Sequence, residues 1–417
     1  YCVLSFDYGS NSCVTAHLNG VLVVFDSPIS GFRNIYGRSS TQFGEPESWS
    51  DPFQLTNVDD IIESNCCLVN GFRARHVVFT RYNASSNYDI WYIANDDSLL
   101  SNSSEATAYN WGRHLVRDPF INRLHLVYFS QDRPHYTYSG DGGSTWAPYH
   151  IIENIHQTPP QKDSGNYPSV GLVPGPSEYF NPCVVYVDNE NGVEYRYLDF
   201  NGVWQGFTIR DNTGGYNGPP SVATPGDGMV YVLVPVRNHP FQVPDYSLIM
   251  FYSFYYDGTG LDSALLDFAD SSNDIWSPCI TYDGDYNLHC VWENTDEIVY
   301  RMRIGGTWDP PLDQPPYLLS IQSPVPDFTP FVEVYGPWLS SVWCSELTPG
   351  NPNSREIYRR RKLLPMKWQT PTNYSQSTGL PSESPVNAGE DFSVWCENLL
   401  GGNDFDIRYR SDTYGFG

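Results

Sequence analysis

Residues suited to acid–base chemistry and to carboxylate binding occur in two short segments of the chain. One segment, Asp-Arg-Pro-His, covers positions 132–135, and the other, Arg-Asn-His, covers positions 237–239. Arginine binds carboxylates through paired hydrogen bonds, and histidine exchanges protons near neutral pH. Neither segment has a counterpart elsewhere in the chain, and catalysis needs unique residues. The conditional catalytic candidates are therefore Asp132, Arg133, His135, Arg237 and His239.

A second group of residues is predicted to bind a ligand. The group comprises Arg73, Arg75, His76, Asp245 and Glu293. Glu293 belongs to a series of acidic residues that recurs in most of the repeats described below. A ring of such carboxylates would bind a cation or supply a general acid for glycoside hydrolysis. Because the feature is repeated, a structural role in turns is the favoured interpretation.

The sequence predicts no cofactor. None of the cysteines has the spacing of a zinc or haem site. Asp283, Asp285 and Asn287 have the spacing of the first three ligands in a calcium loop, but the glycine and the distal glutamate of that loop are missing. Calcium is therefore the alternative, and a polar turn is the favoured interpretation.

Two pairs among the nine cysteines are candidate disulfides. Cys279 and Cys290 flank a turn almost symmetrically, and Cys2 and Cys13 have a similar spacing at the N-terminus. Buried thiols that do not react are an equally good interpretation for most of the nine. The odd total leaves at least one thiol free or available for an intermolecular bond.

The elements that position these residues are strands of an internal repeat. An apolar strand that ends in a polar residue recurs eight times, at intervals of 48 to 58 residues, as in Val77-Val78-Phe79-Thr80. A second strand follows each copy, another precedes it, and a tryptophan often closes the unit. Four strands in roughly 50 residues are the signature of a propeller blade.

The predicted fold is all-β, a single β-propeller of four-stranded antiparallel blades that covers residues 1–417. Eight blades are expected, and a seven-bladed ring with an insertion is the alternative. The final unit ends soon after its third strand, so residues 2–6 are predicted to supply its outer strand and close the ring. The repeat units are approximately 10–55, 62–105, 109–150, 167–210, 219–268, 276–312, 328–371 and 384–417 with 2–6.

One hairpin carries a motif with a specific signature. Residues 139–146 read Ser-Gly-Asp-Gly-Gly-Ser-Thr-Trp, in which the aspartate can accept backbone N–H groups and the glycines permit positive φ. The string fits S-x-D-x-G-x-T-W and resembles the Asp-box of sialidase-like (BNR-repeat) β-propellers. That resemblance implies a propeller and a structural role away from the ligand-binding face. The motif residues are Ser139, Asp141, Gly143, Thr145 and Trp146.

The resemblance does not extend to the catalytic residues of sialidases. Those enzymes carry an N-terminal F/Y-R-I-P motif, whereas residues 32–35 here read Phe-Arg-Asn-Ile. No catalytic residue is carried over from that family. On this basis the chain is expected not to be an enzyme, although the question stays open.

Charge and composition limit the partners. The formal net charge of −25 argues against nucleic acids and anionic membrane surfaces. No segment approaches the roughly 18 consecutive apolar residues of a membrane-spanning helix. The basic run Arg359-Arg360-Arg361-Lys362 places two charges on each side of a strand, which suits a partner contact or an outer blade edge. We expect a secreted or cell-surface protein, with self-assembly possible through the odd cysteine.

Two functions are compatible with these observations. The favoured one is a non-catalytic binding or assembly module that takes a glycan or protein partner at the propeller face, because loops rich in tyrosine and tryptophan suit sugar stacking. The alternative is a polysaccharide-active enzyme, a glycoside hydrolase or polysaccharide lyase, with its site in the central funnel. Convergence of the candidate residues on one face would favour the enzyme.

Overall fold

The computed structural model describes most of the chain, and the structural statements that follow concern its described residues. They are residues 10–17, 20–27, 34–40, 50–51, 53–56, 62–70, 75–82, 88–93, 97–101, 114–118, 120–121, 123–130, 133–141, 146–147, 150–152, 165–175, 180–188, 190–211, 216–237, 246–270, 275–320, 326–348, 351, 354–375, 382–387, 392–398, 405–411 and 415–416. These residues form strands and no α-helix. Accordingly, the described part contains no helix long and apolar enough to cross a membrane.

The strands of the first half of the chain form four sheets, each built from consecutive antiparallel strands. The first sheet contains β1 (Ser10–His17), β2 (Gly20–Ser27), β3 (Asn34–Ser40) and β4 (Phe53–Gln54). The second contains β5 (Ile62–Asn70), β6 (Arg75–Tyr82), β7 (Tyr88–Ile93) and β8 (Asp97–Ser101). The third contains β9 (Leu115–Arg117), β10 (Leu124–Ser130), β11 (Arg133–Ser139) and β12 (His150–Ile151). The fourth contains β13 (Gly165–Pro174), β14 (Phe180–Asp188), β15 (Val193–Leu198) and β16 (Trp204–Arg210).

The second half of the described chain forms four more sheets of the same kind. In the fifth, two short strands share the first position: β17 (Tyr216–Asn217), β18 (Ser221–Ala223), β19 (Met229–Arg237), β20 (Tyr246–Tyr255) and β21 (Asp262–Asp270). In the sixth, two short strands share the fourth position: β22 (Ile275–Tyr282), β23 (Leu288–Asn294), β24 (Glu297–Ile304), β25 (Thr307–Asp309) and β26 (Tyr317–Leu318). The seventh contains β27 (Asp327–Tyr335), β28 (Trp338–Glu346), β29 (Arg355–Leu363) and β30 (Thr372–Asn373). The eighth contains β31 (Ser382–Asn387), β32 (Phe392–Asn398), β33 (Phe405–Ser411) and β34 (Gly415–Phe416).

Each sheet packs against the next one in the chain. The contacts run from β1 to β5, from β10 to β13, from β19 to β22 and from β28 to β31, and β1 also contacts β32 of the last sheet. The prediction of an all-β propeller with four-stranded antiparallel blades is therefore confirmed. The fourth strand of the last sheet is β34, which pairs with β33. Residues 2–6 lie outside the described residues, so their part in closing the ring remains a prediction.

The second strand of each sheet lies between two neighbouring sheets, so it is buried on both faces. In β14, Val184, Val185 and Tyr186 have no exposed surface, and Val187 is 3% exposed. A strand covered on both faces reads as a continuous apolar run instead of an alternating one. This explains why the sequence repeat is most visible in these strands.

A bulge recurs in the first strands. Tyr167, Ser277 and Thr329 have φ of 60°, 49° and 51°, and each precedes a proline. Residues before proline normally adopt extended conformations, and a β-branched residue at positive φ is unusual. The strand register shifts at each of these positions. The bulge gives the residues just before it equivalent positions at the end of each sheet.

The predicted Cys279–Cys290 disulfide is wrong. Cys279 pairs in register with Val291, and Cys290 pairs with Ile280, so the two thiols point to opposite faces of the sixth sheet. Cys279 packs towards the seventh sheet and Cys290 towards the fifth. Both are buried thiols outside any disulfide, as are Cys183 and Cys344. Cys2 and the side chain of Cys13 lie outside the described part of the chain.

Candidate functional site

Several of the predicted site residues lie outside the part of the chain that the structure describes. They are Arg73, Asp132, His239 and Asp245, together with the side chains of Arg75 and His76 on β6. The described candidates are Arg133, His135, Arg237 and Glu293.

Arg133 and His135 lie on β11 in the third sheet. His135 is only 4% exposed, and its ring stacks on Tyr128 of the neighbouring strand at a centroid distance of 5.3 Å. The fourth sheet separates these residues from Arg237, which belongs to the fifth. Arg133 begins the third strand of its sheet and Arg237 ends the second strand of its own, so both lie at the same end of their sheets.

Arg237 and Glu293 meet around a residue that the sequence analysis did not single out. Arg237 ends β19, and its guanidinium carbon lies 4.7 Å from the centre of the Trp276 ring in the next sheet. Trp276 is the cross-strand partner of Glu293. Gly218 allows the indole to sit this close, because a Cβ there would lie 2.7 Å from its Cη2 atom. The result is a half-buried cation, indole and carboxylate at one end of the sixth sheet.

A buried carboxyl group lies on the other side of this end of the sixth sheet. Asp327 begins β27, and its N–H donates to the carbonyl of Asp296, in the turn that follows β23. Asp327 is 3% exposed and accepts hydrogen bonds from Ser345, Ser320 and the Trp343 indole. Burial raises the pKa of Asp327 to about 6, although these three bonds lower it and Glu297 raises it further. Such a group exchanges a proton close to neutral pH.

An arginine also stacks on an aromatic ring on the opposite face of the seventh sheet from Asp327, because Phe328 is the next residue on the strand. Arg355, at the start of β29, lies with its guanidinium carbon 4.9 Å from the centre of the Phe328 ring. Its Nε lies 3.6 Å from Oε2 of Glu346, its cross-strand partner. The Arg355 side chain retains 28% of its exposure, whereas that of Glu346 retains 8%.

These residues share one end of the fifth, sixth and seventh sheets. Each lies where a second strand ends, where a third strand begins, or at the start of the adjoining first strand. We name this group the junction site. It consists of Arg237, Trp276, Glu293, Asp327, Phe328, Glu346 and Arg355. It combines two arginines able to bind carboxylates, two aromatic rings and a carboxyl group of raised pKa.

Trp276, Phe328, Asp327 and Arg355 were missed at the level of sequence. The signal available for the two aromatic residues is the repeated pair Ser/Thr-Pro at 277–278 and 329–330, each preceded by an aromatic residue. That repeat aligns Trp276 with Phe328. No local pattern marks Asp327 or Arg355.

Three residues of the basic run on β29, Arg359, Arg360 and Lys362, form hydrogen bonds within the protein. Arg359 donates to the Ser340 and Tyr374 hydroxyls, each at 2.8 Å. Arg360 donates to backbone carbonyls of the sixth sheet, and Lys362 donates to the Tyr300 hydroxyl at 3.1 Å. The run therefore ties the sixth and seventh sheets together.

The two polar turns singled out in the sequence have visible structural roles. Ser139 donates to Oδ1 of Asp141 at 2.8 Å, while Gly143 and Thr145 of the Asp-box lie outside the described residues. Asp283 Oδ1 accepts the N–H groups of Asp285 and Asn287, each at 2.9 Å. No group of three or more potential metal ligands occurs in the described part of the chain.

No family model and no curated relative matches this sequence. Among solved structures, the fold is similar to that of a PL25 polysaccharide lyase, an ulvan lyase, with a TM-score of 0.52 and 10% identity over 99% of this chain and 95% of the other. The polysaccharide lyase Uly1 aligns with a TM-score of 0.49 and 7% identity, covering 84% of this chain and 89% of the other. The phage phi92 endosialidase aligns with a TM-score of 0.42 and 10% identity, covering 91% and 71%. At these identities the likeness concerns the fold alone.

Proposed function

We propose that this chain is a polysaccharide-active enzyme that uses the junction site to act on a polysaccharide bearing carboxylate groups. The observation that carries the proposal is that buried Asp327 lies at the same end of neighbouring sheets as two arginine–aromatic pairs, Arg237 with Trp276 and Arg355 with Phe328. The proposal thus takes up the enzymatic alternative that the sequence left open. Its site lies at the junction of three sheets, and the predicted role of His135 and Arg133 in it remains untested.

Each part of the junction site has a task in this proposal. A guanidinium group binds the carboxylate of a uronate residue, and the neighbouring indole or phenyl ring packs on the apolar face of the sugar. Neutralising the carboxylate acidifies the adjacent C5–H bond, because the negative charge that develops there is stabilised. Asp327 as a carboxylate then accepts the C5 proton and, as an acid, returns it to the leaving O4 oxygen. The C5–H and C4–O4 bonds break, and a C4=C5 double bond forms.

The similarity of fold to a protein described as an ulvan lyase supports elimination as the first reaction to assay. The same comparison supports a carbohydrate partner. A second function, binding without turnover, is favoured by one observation. Asp327 is only 3% exposed, which suits a carboxyl group that ties two sheets together.

The test is an assay of the purified chain on ulvan, pectate, alginate and hyaluronan. Ultraviolet absorbance would detect an unsaturated product, and a reducing-sugar assay run in parallel would detect either cleavage reaction. We expect turnover on at least one of these polysaccharides, and its loss in Asp327→Asn with no fall in the thermal midpoint. Binding to one of them with no product of either kind would overturn the enzymatic proposal and establish the module.

A further inference from the structure

A cleft of about 360 Å³ lies between the fourth and fifth sheets, away from the junction site. Its lining includes Tyr197 near the end of β15, Asp199 and Phe200 from the turn after β15, and Tyr256 and Asp257 from the turn after β20. These turns join the third strand of a sheet to the fourth. In an antiparallel sheet they lie at the opposite end from the turns near the junction site. The volume falls within the range of roughly 300–1,000 Å³ typical of small-ligand sites.

Aromatic rings form the walls of this cleft. Tyr197 and Tyr256 meet edge to face, with centroids 5.7 Å apart and planes at 89°. The Tyr195 hydroxyl donates to the Tyr256 carbonyl at 3.0 Å, which fixes the backbone there. Phe200 is 74% exposed at the rim. A phenylalanine exposed to this extent in a turn contributes little to the core, so its position suits contact with a ligand.

Two carboxylates are held in place by their own turns. Asp199 Oδ1 accepts the N–H groups of Asn201 at 2.8 Å and Val203 at 2.9 Å, and its Oδ2 accepts from the Gln205 amide at 3.2 Å. Asp257 Oδ1 accepts both the N–H and the hydroxyl of Thr259, and Oδ2 takes part in neither bond. The bonds from Thr259 lower the pKa of Asp257. Both side chains are thus ordered acceptors for hydroxyl groups.

We propose that this cleft binds a neutral oligosaccharide, in which the tyrosine and phenylalanine rings contact the C–H faces of the sugars and Asp199, Asp257, Asn181 and Gln205 hydrogen-bond their hydroxyls. None of the described lining residues is an arginine or a lysine. Two carboxylates without a cation repel an anionic sugar. The cleft therefore selects against the uronates that the junction site attracts. It serves as an ancillary binding site on the opposite face and stands independently of the proposed catalytic function.

Isothermal titration calorimetry with cellotetraose, xylotetraose and mannotetraose tests this proposal, with trigalacturonate as the anionic probe. We expect the unmodified chain to bind at least one neutral tetrasaccharide saturably, with a Kd of about 1 mM. We expect the Arg237→Gln/Arg355→Gln double variant not to bind trigalacturonate. Phe200→Ala and Asp257→Asn are each expected to weaken neutral binding about tenfold or more. Phe200→Ala should leave the thermal midpoint unchanged, because the ring is exposed.

The matched control is Tyr335→Ala, which removes a 55% exposed aromatic ring from the last position of β27, at the corresponding end of the seventh sheet. It is expected to bind as the unmodified chain does. Absence of saturable binding to all three neutral sugars up to about 10 mM would overturn the proposal. Equal weakening of neutral-sugar binding by Tyr335→Ala would overturn it as well. So would the same calorimetric signal when calcium chloride is titrated without sugar. If the two sites are separate, the Arg237→Gln/Arg355→Gln variant still binds the neutral sugars. Loss of neutral-sugar binding therefore tests the cleft, whereas loss of turnover or of acidic-sugar binding tests the junction site.

Discussion

Arg237 of the fifth sheet lies over the indole of Trp276 in the sixth, with 4.7 Å between the guanidinium carbon and the ring centre. The contact joins a residue predicted from the sequence to one that the sequence analysis passed over. It also crosses a boundary between two sheets. A cation–π contact of this kind contributes about 0.5–2 kcal/mol and orients the guanidinium group.

Arg237→Gln and Trp276→Ala are therefore expected to weaken binding of an acidic polysaccharide at the junction site. We expect KM or Kd to rise about tenfold for each, and the double variant to show less than the product of the two effects, because the residues act as a unit. Arg303→Gln is the matched control. Arg303 stacks on Phe251 and lies 5.8 Å from Trp308, at the other end of the sixth sheet. Equal effects of the control and of Arg237→Gln would contradict the assignment.

Asp327 should make the stability of the protein depend on pH. Its pKa is raised by burial to about 6 from an ordinary value of 3.8. Between these two values the unfolded chain has released the proton while the folded chain retains it, so stability falls as pH rises through this window and is constant above it. The difference in unfolding free energy between the unmodified chain and Asp327→Asn is expected to change by about 3 kcal/mol from pH 3.5 to pH 7. Urea titrations at several pH values measure it, and a difference that stays constant would contradict the assigned pKa.

The Tyr300 hydroxyl connects Lys362 and His289 in the interior. It accepts from Lys362 at 3.1 Å and contacts His289 Nδ1 at 2.8 Å, and burial lowers the pKa of Lys362 to about 8. Tyr300→Phe leaves a buried ammonium group without this partner and is expected to cost about 1–3 kcal/mol. The matched control is Tyr136→Phe, whose hydroxyl makes the same 2.8 Å contact with His125. Chemical denaturation should show a larger loss of unfolding free energy for Tyr300→Phe than for Tyr136→Phe. Equal losses would mean that the hydrogen bond between Lys362 and the Tyr300 hydroxyl does not stabilise the fold.

The thiols of Cys279 and Cys290 should remain reduced. They are buried on opposite faces of one sheet, so they cannot pair without unfolding. We expect both to resist thiol reagents in the folded protein and to react fully in denaturant. Peptide mapping without reduction provides the check. A bridged peptide containing both residues would contradict the register of β22 and β23.

The repeat made the fold predictable from the sequence. Strands such as Val184 to Val187 are buried on both faces between neighbouring sheets, so their apolar run stands out without any alignment. The turns were predictable for a similar reason, since Asp283 bonds to residues only two and four positions away. The cysteine pair shows what local spacing does not reveal. Positions that flank a turn symmetrically can still differ by one step in register, and one step moves a side chain to the other face.

The sequence by itself determined the strand repeat, the propeller fold and the self-bonded turns, because each of these depends on local spacing and on burial pattern. Tertiary structure alone decided which chemical groups meet. Arg237 meets Trp276 of the next sheet, and Asp327 bonds to Asp296 of the sheet before its own, so each contact depends on the packing of one sheet against the next. It likewise decided that Lys362 is buried against Tyr300. Contacts between sheets leave no periodic trace in the chain, since any polar residue at a strand end fits the same pattern.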